Sequence, residues 1–176
     1  AIVISTPATV LSAIGNGARR GILFNGGVYV ENAATIKVVA FDKTGTLTKG
    51  EPEVTDILPL NGQMRENELL ALAAAVEAKS EHPLAQATVQ AAQKRALSWP
   101  EAADFQATTG QGVVATVQGR QIRIGNGRFF TKFNPAGFEQ AEADLDRLQN
   151  LGKTSVLVAE VDEAAGTAVL LGILAY

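Results

Sequence analysis

A chain of 176 residues, 47% of them apolar, is long enough for one large domain or one and a half small ones, with a sizeable core. It contains no cysteine, which excludes a disulfide framework and a thiolate metal site within these residues. The net charge of −3 is uneven, +3 over residues 1–50 and −6 over 51–176; no basic stripe of the kind that tracks a nucleic-acid backbone is present, so nucleic acid is not an expected partner.

Residues 1–14 are mostly small and apolar. A bilayer span needs about 20 such residues, so this run is too short to cross alone, and it lacks the charged start of a signal peptide. Arg19-Arg20 follows, a pair typical of a cytoplasmic membrane boundary. We read the stretch as the second half of a transmembrane helix, with Pro7 breaking the ladder as membrane helices tolerate beside ion paths. An ordinary amphipathic helix is the alternative. Residues 28–37 read as a short helix.

Val38-Val39-Ala40-Phe41 is a short apolar run of the kind that forms a buried parallel strand. Asp42 stands at its end. In open α/β sheets chemistry gathers outside the carboxyl ends of the strands, where an Asp can serve as a nucleophile or a Mg²⁺ ligand. The plain alternative is a turn residue or a helix cap. Glu51-Pro52-Glu53 marks a break, read as the exit into a second domain, because Pro52 lacks an N–H and stiffens the chain.

Val54 to Leu60 is predicted as a strand, with a turn at Asn61-Gly62. Helical spacing of Leu69, Leu70, Leu72, Ala73 and Val76 predicts a helix over Glu66 to Ala78. Ser80-Glu81-His82-Pro83 interrupts it, and Pro83 suits the first turn of a second helix to about Ala96. His82 is the single histidine; by itself such a residue is more often structural than functional. Phe105 to Val117 reads as two strands around Gly110-Gln111-Gly112. Gln118-Gly119-Arg120 is a turn, Gln121 to Ile124 a strand, and Gly125-Asn126-Gly127 its end. Glycine pairs in hairpins are mostly turn chemistry. Pro135 to Asn150 is a helix with a solvated acidic face and Phe138, Leu145 and Leu148 inward. Gly152 suits its C-terminus. Strands at Thr154–Val161 and Thr167–Ala175 close the chain.

Two patterns are set aside. Gly152-Lys153-Thr154 looks like the end of a phosphate-binding loop, but the required earlier glycine position holds Arg147. Gly15-Asn16-Gly17 is not a dinucleotide fingerprint, because Arg20 stands where glycine is needed.

Three stretches together resemble one family. Asp42-Lys43-Thr44-Gly45-Thr46-Leu47-Thr48 resembles, without a break, the phosphorylation signature of P-type ATPases, ion pumps that form an aspartyl-phosphate. Ile4-Ser5-Thr6-Pro7 followed by Gly21-Ile22-Leu23-Phe24-Asn25-Gly26-Gly27 resembles the segment after the Cys-Pro-Cys motif of heavy-metal pumps, worded more like zinc/cadmium/lead members than copper members. Glu77 to Ala85 resembles their Ser-Glu-His-Pro nucleotide motif. Gly110 and Gly112 match the family's Gly-x-Gly, and Gly125-Asn126 its Gly-Asn.

The resemblance implies an α/β fold: the start of a HAD-like parallel-sheet phosphorylation domain plus an α+β nucleotide-binding domain, an antiparallel sheet with a helical hairpin. It implies a half transmembrane helix and stalk at 1–27, phosphorylation domain at 28–50, nucleotide-binding domain at 51–171, and a return to the phosphorylation domain at 172–176. It implies that Asp42 takes the γ-phosphoryl of ATP, that Lys43 lies beside the phosphate, that Asp42 and the Thr44 carbonyl hold Mg²⁺, and that Thr46 contacts the phosphoryl group. Glu77 and His82 would meet the adenine, Gly110 and Gly112 would let backbone approach the nucleotide, and Gly125 and Asn126 would complete the site.

The superfamily's soluble phosphatases usually carry a second Asp two positions after the nucleophile. Here that position is Thr44, which is no general acid near neutral pH, so the acyl phosphate should persist and drive a conformational step. The expected protein is a multi-pass membrane ATPase exporting a divalent heavy-metal cation, cytoplasmic from about residue 20. The family's later Gly-Asp-Gly loop and phosphate-side Lys are not in this stretch, so no ATP turnover is expected from these residues alone. A soluble phosphatase of the same superfamily and a non-catalytic ATP-binding module are the rival readings.

Overall fold

The computed structural model describes the chain except residues 1, 43–45, 47–49, 61, 63, 134 and 136, and the side chain of Ile2. The chain forms two compact units, residues 1–49 and 50–176.

The first unit is helical. α1 spans Ile2–Arg19 with Pro7 inside it, and Thr9 Oγ1 donates back to the Ser5 carbonyl at 2.9 Å, a local bond that suits a helix interrupted by proline. Gly21 ends it at φ +79°, the left-handed stop that glycine takes without a Cβ penalty. The chain then doubles back: a Cβ on Gly17 would lie 2.8 Å from the Phe24 ring, and one on Gly27 would lie 2.8 Å from Val10 Cγ1. α2 (Gly27–Ala33) stops short of the predicted 28–37. Among the described residues no helix is long and apolar enough to cross a membrane.

The predicted buried strand at Val38 to Phe41 is not formed. These residues are non-helical but unpaired and exposed, Val38 by 85% and Phe41 by 64%. A parallel strand needs ladder neighbours and helices over both faces, and no strand is among the described residues of this unit.

The second unit is built on six antiparallel strands: β1 (Asp56–Pro59), β2 (Ala103–Thr108), β3 (Gly112–Val117), β4 (Arg120–Gly125), β5 (Ser155–Asp162) and β6 (Thr167–Ala175), ordered β1-β6-β5-β4-β3-β2. The hairpin of α3 (Glu66–Glu77) and α4 (Pro83–Lys94) covers one face, and α5 (Phe138–Asn150) with the 3-10 turn Gly127–Phe130 covers the other. The α+β organisation expected from sequence is therefore present, and the strand predictions agree to within a residue or two.

Period-two alternation divides β5 and β6 between two cores. Val158 and Leu174 pack toward α3, while Leu157, Ile173 and Ala175 pack toward α5 and the buried Phe130. β6 keeps this division through a bulge: Val158 pairs with Gly172 and Ala159 with Leu170, which leaves Leu171 as the extra residue.

Gly172 fixes where α3 sits. A Cβ there would fall 2.2 Å from Leu69 Cδ2 and 2.7 Å from the Leu58 carbonyl oxygen, so the helix rests directly on the strand backbone. α3 begins with the Arg65 N–H on Glu68 Oε2 at 2.8 Å, and Leu69, Leu70 and Ala73 to Val76 are buried. Its last residue is Glu77.

Candidate nucleotide site

Five residues join α3 to α4, and two of them, Ser80 and His82, line one side of a cavity together with Glu77. Glu77 is 7% exposed. Burial pushes its carboxyl up to about 7, against a hydrogen bond from Ser80 that pulls it down. The Ser80 hydroxyl also accepts from the His82 N–H at 3.3 Å, so one serine links the acid to the histidine turn.

His82 is the N-cap of α4, with Pro83 at the first helical position. Its Nδ1 accepts from the Leu84 N–H at 3.2 Å. An accepting Nδ1 carries no proton, so in the neutral ring the proton is assigned to Nε2. The histidine therefore has a structural task that its sequence context did not reveal, and the capping leaves one ring nitrogen as a donor.

The opposite wall is the β2–β3 turn against the end of β4. Gly110 turns at φ +72° with open space where a Cβ would stand. Gly112 and Gly125 are register partners, and each is glycine because of the other strand. A Cβ on Gly112 would lie 2.1 Å from the Ile124 carbonyl oxygen, and one on Gly125 would lie 2.3 Å from that of Gln111. The expectation was that these glycines admit a nucleotide; the structure gives them a prior reason, the close approach of two backbones. Asn126 clamps the turn, its N–H on the Gln111 carbonyl at 2.9 Å and its side-chain Nδ2 on the Gly110 carbonyl at 2.8 Å.

Between these walls lies a cavity of about 510 Å³ that touches Glu77, His82, Gly110, Gly112, Gly125 and Asn126, all six residues picked out from sequence for nucleotide contact. Its volume falls in the range of roughly 300–1,000 Å³ typical of small-molecule sites. The start of β5, Thr154 to Val156, and Tyr176 complete the lining.

Tyr176 and its partner Thr88 were missed. Backbone bonds between Thr154 and Tyr176, 2.8 and 3.2 Å, extend the β5–β6 ladder by one pair. Alternation then puts Tyr176 on the Leu174 face, under the helical hairpin. Its hydroxyl lies 2.7 Å from that of the fully buried Thr88. Burial pushes the phenol up to about 12, with a bond to Thr88 opposing it and the charge of Glu77 adding to it. The available signal was the strand period carried past Ala175.

The expected catalytic residues lie in the first unit. Asp42 and Thr46 are exposed; Lys43 and Thr44 lie outside the described residues. Among the described residues no group of three or more His, Cys, Asp or Glu gathers as a protein-only metal site would. A Mg²⁺ bound through one or two carboxylates and substrate phosphates needs no such group, and the exposed Asp42 carboxylate fits that donor set.

A family model for haloacid dehalogenase-like hydrolases matches residues 36–172. The chain is 44% identical over 161 residues to a probable cadmium-transporting ATPase of Staphylococcus aureus, covering 90% of this chain and 22% of that protein. It is 43% identical over 173 residues to a zinc/cadmium/lead-transporting P-type ATPase of Escherichia coli, covering 97% and 22%. It is 41% identical over 163 residues to a probable copper-exporting P-type ATPase of Archaeoglobus fulgidus, covering 93% and 20%. The chain thus spans about a fifth of the length of the relatives it matches. Among solved structures, a zinc-transporting PIB-type ATPase superposes with a TM-score of 0.79 at 43% identity, over 98% of this chain and 26% of that one. The N-domain of a copper-transporting P-type ATPase superposes with a TM-score of 0.58 at 28% identity, over 71% and 99%.

Proposed function

This chain belongs to the haloacid dehalogenase-like hydrolase family, and on that footing we propose that it is the phosphorylation and ATP-binding segment of a P-type ATPase that exports a divalent heavy-metal cation. The observation that carries the reading is the convergence of Glu77, His82, Gly110, Gly112, Gly125 and Asn126 on one cavity of ligand size, in a chain that also holds an unbroken Asp42-to-Thr48 phosphorylation signature.

Each group has a task in this proposal. ATP enters the cavity between the helical hairpin and the β2–β3 turn, and the His82 imidazole offers a flat face to the base. Glu77 and Ser80 supply polar atoms at the same wall. The Asp42 carboxylate attacks the γ-phosphorus in line; the bond to the β-bridging oxygen breaks, ADP leaves, and an acyl phosphate remains. Lys43 and Thr46 neutralise and position the phosphoryl oxygens. Mg²⁺, held by Asp42, the Thr44 carbonyl and phosphate oxygens, would offset the charge on the transferring group. Because Thr44 is no general acid, hydrolysis is slow and the intermediate can drive transport.

The same proposal places 1–27 as the end of a membrane helix and its stalk, 28–50 and 172–176 in the phosphorylation domain, and 51–171 as the nucleotide-binding domain. A zinc, cadmium or lead ion is preferred over copper, on the Ser5-Thr6-Pro7 wording and the cadmium- and zinc-transporting relatives.

The test is acid-quench labelling with γ-labelled ATP of a full-length protein carrying these residues. An acid-stable label that hydroxylamine releases, and that Asp42→Asn abolishes, is the expected result. A label that survives either treatment rules out Asp42 as the nucleophile. The chain by itself is expected to bind ATP, as calorimetric titration reads it, without turnover.

A further inference from the structure

Tyr176 borders the cavity, and the direction of its hydrogen bond can be deduced. Thr88 Oγ1 lies 3.0 Å from the Leu84 carbonyl oxygen. A carbonyl only accepts, so the single hydroxyl proton of Thr88 is spent there. The Thr88–Tyr176 contact at 2.7 Å then requires the tyrosine to donate. With its proton committed to Thr88, the phenol oxygen offers lone pairs only.

One neighbouring group, Glu77, shares that character when ionised. The Ser80 hydroxyl donates to the Glu77 carboxylate, whose charge reaches the Tyr176 phenol. Above about pH 7 that carboxyl is ionised in the fold and is also acceptor-only. Two acceptors on different elements, Glu77 at the end of α3 and Tyr176 after β6, therefore border the cavity.

We propose that Tyr176 is a specificity-determining residue of this cavity, its acceptor-only hydroxyl oxygen favouring a purine with an exocyclic amine over one with a carbonyl at the same position. This rests on the nucleotide reading above and deepens it. An amine donates to the acceptor pair, whereas a carbonyl meets two acceptors and leaves buried polar atoms unpaired. That asymmetry makes hydrogen-bonding sites more selective than apolar ones. Thr88 acts as a positioning residue: it is fully buried, lies outside the cavity lining, and holds the phenol proton away from the ligand.

The experiment is calorimetric titration of this chain at pH 8, where Glu77 is ionised, as wild type, Tyr176→Phe and Thr88→Val, with ATP and with inosine triphosphate, its 6-oxo counterpart. Thermal melting checks that each variant is folded. The wild type binds ATP more tightly than inosine triphosphate. In Tyr176→Phe the ratio of the two affinities falls roughly three- to tenfold, the worth of one neutral hydrogen bond. In Thr88→Val the freed phenol proton turns toward the ligand, so inosine triphosphate gains affinity over its wild-type value. A purely structural role would weaken both ligands alike and leave the ratio untouched. An unchanged ratio in whichever variants fold, with ATP still bound, overturns this inference and leaves the nucleotide reading standing. A folded wild type that binds neither ligand overturns both.

Discussion

Gly112 and Gly125 face each other at the end of the β3–β4 ladder, and backbone from across the ladder fills the space where a side chain on either would stand. The atoms in the way are backbone, 2.1 Å from a Gly112 Cβ and 2.3 Å from a Gly125 Cβ, and backbone cannot swing aside. Gly112→Ala and Gly125→Ala should each destabilise the second unit by about 2–3 kcal/mol. Gly110→Ala has open space but φ +72°, and should cost only about 1 kcal/mol. Urea denaturation of the three variants checks the order; a Gly112→Ala protein as stable as wild type would contradict the close approach.

Glu77 gives stability a pH dependence of known sign. Its folded carboxyl sits near 7 against an ordinary 4.5, so between those values the folded state keeps a proton that the unfolded chain releases. Stability from this group is complete below 4.5 and is lost as pH rises through 7. Glu77→Gln removes the titration, so the variant should gain on wild type across that window, by of order 2–3 kcal/mol at pH 8. Denaturation midpoints of the pair from pH 4 to pH 8 test it. A constant difference between the two proteins would mean that Glu77 ionises in the fold as it does in water.

α3 and β6 touch at a point where no side chain fits. Gly172→Ala puts a methyl 2.2 Å from Leu69 Cδ2 and 2.7 Å from the Leu58 carbonyl oxygen. Leu69 can shift slightly but the carbonyl cannot, so a loss of about 2–3 kcal/mol is expected. Because the displaced helix carries Glu77, ATP affinity should fall with stability in this variant. Melting and titration of the same sample decide it; a full-affinity protein with a lowered melting point would separate the helix from the site.

Much of this was legible in the chain itself. Helical spacing at Leu69, Leu70, Ala73 and Val76 and long apolar runs at 154–161 and 167–175 marked the elements, because burial on one face leaves a period in the residues. The cavity residues were legible only as a resemblance: nothing local distinguishes Gly112 and Gly125 from turn glycines, since their requirement comes from a strand across the ladder. Tyr176 and Thr88 meet 88 residues apart in sequence, a pairing that no local pattern encodes. Val38 to Phe41 misled for the converse reason. Its composition suits a buried parallel strand, yet a strand exists only with partners, and the first unit offers none among its described residues.

His82 combines two tasks that substitution can separate. As N-cap it accepts the Leu84 N–H through Nδ1, and as a cavity residue it presents an imidazole. His82→Ala loses both, and should cost about 1 kcal/mol of stability along with nucleotide affinity. Asn is a strong N-cap whose side-chain oxygen can take the same N–H, but it has no ring to lay against a base. His82→Asn should therefore recover the stability lost in the alanine variant while ATP affinity stays reduced. Chemical denaturation and titration of the two variants give four numbers that decide the matter. If Asn restored ATP binding as well, the contribution of His82 would be the ordering of the α4 N-terminus, and the stacking role assigned to its ring would be wrong.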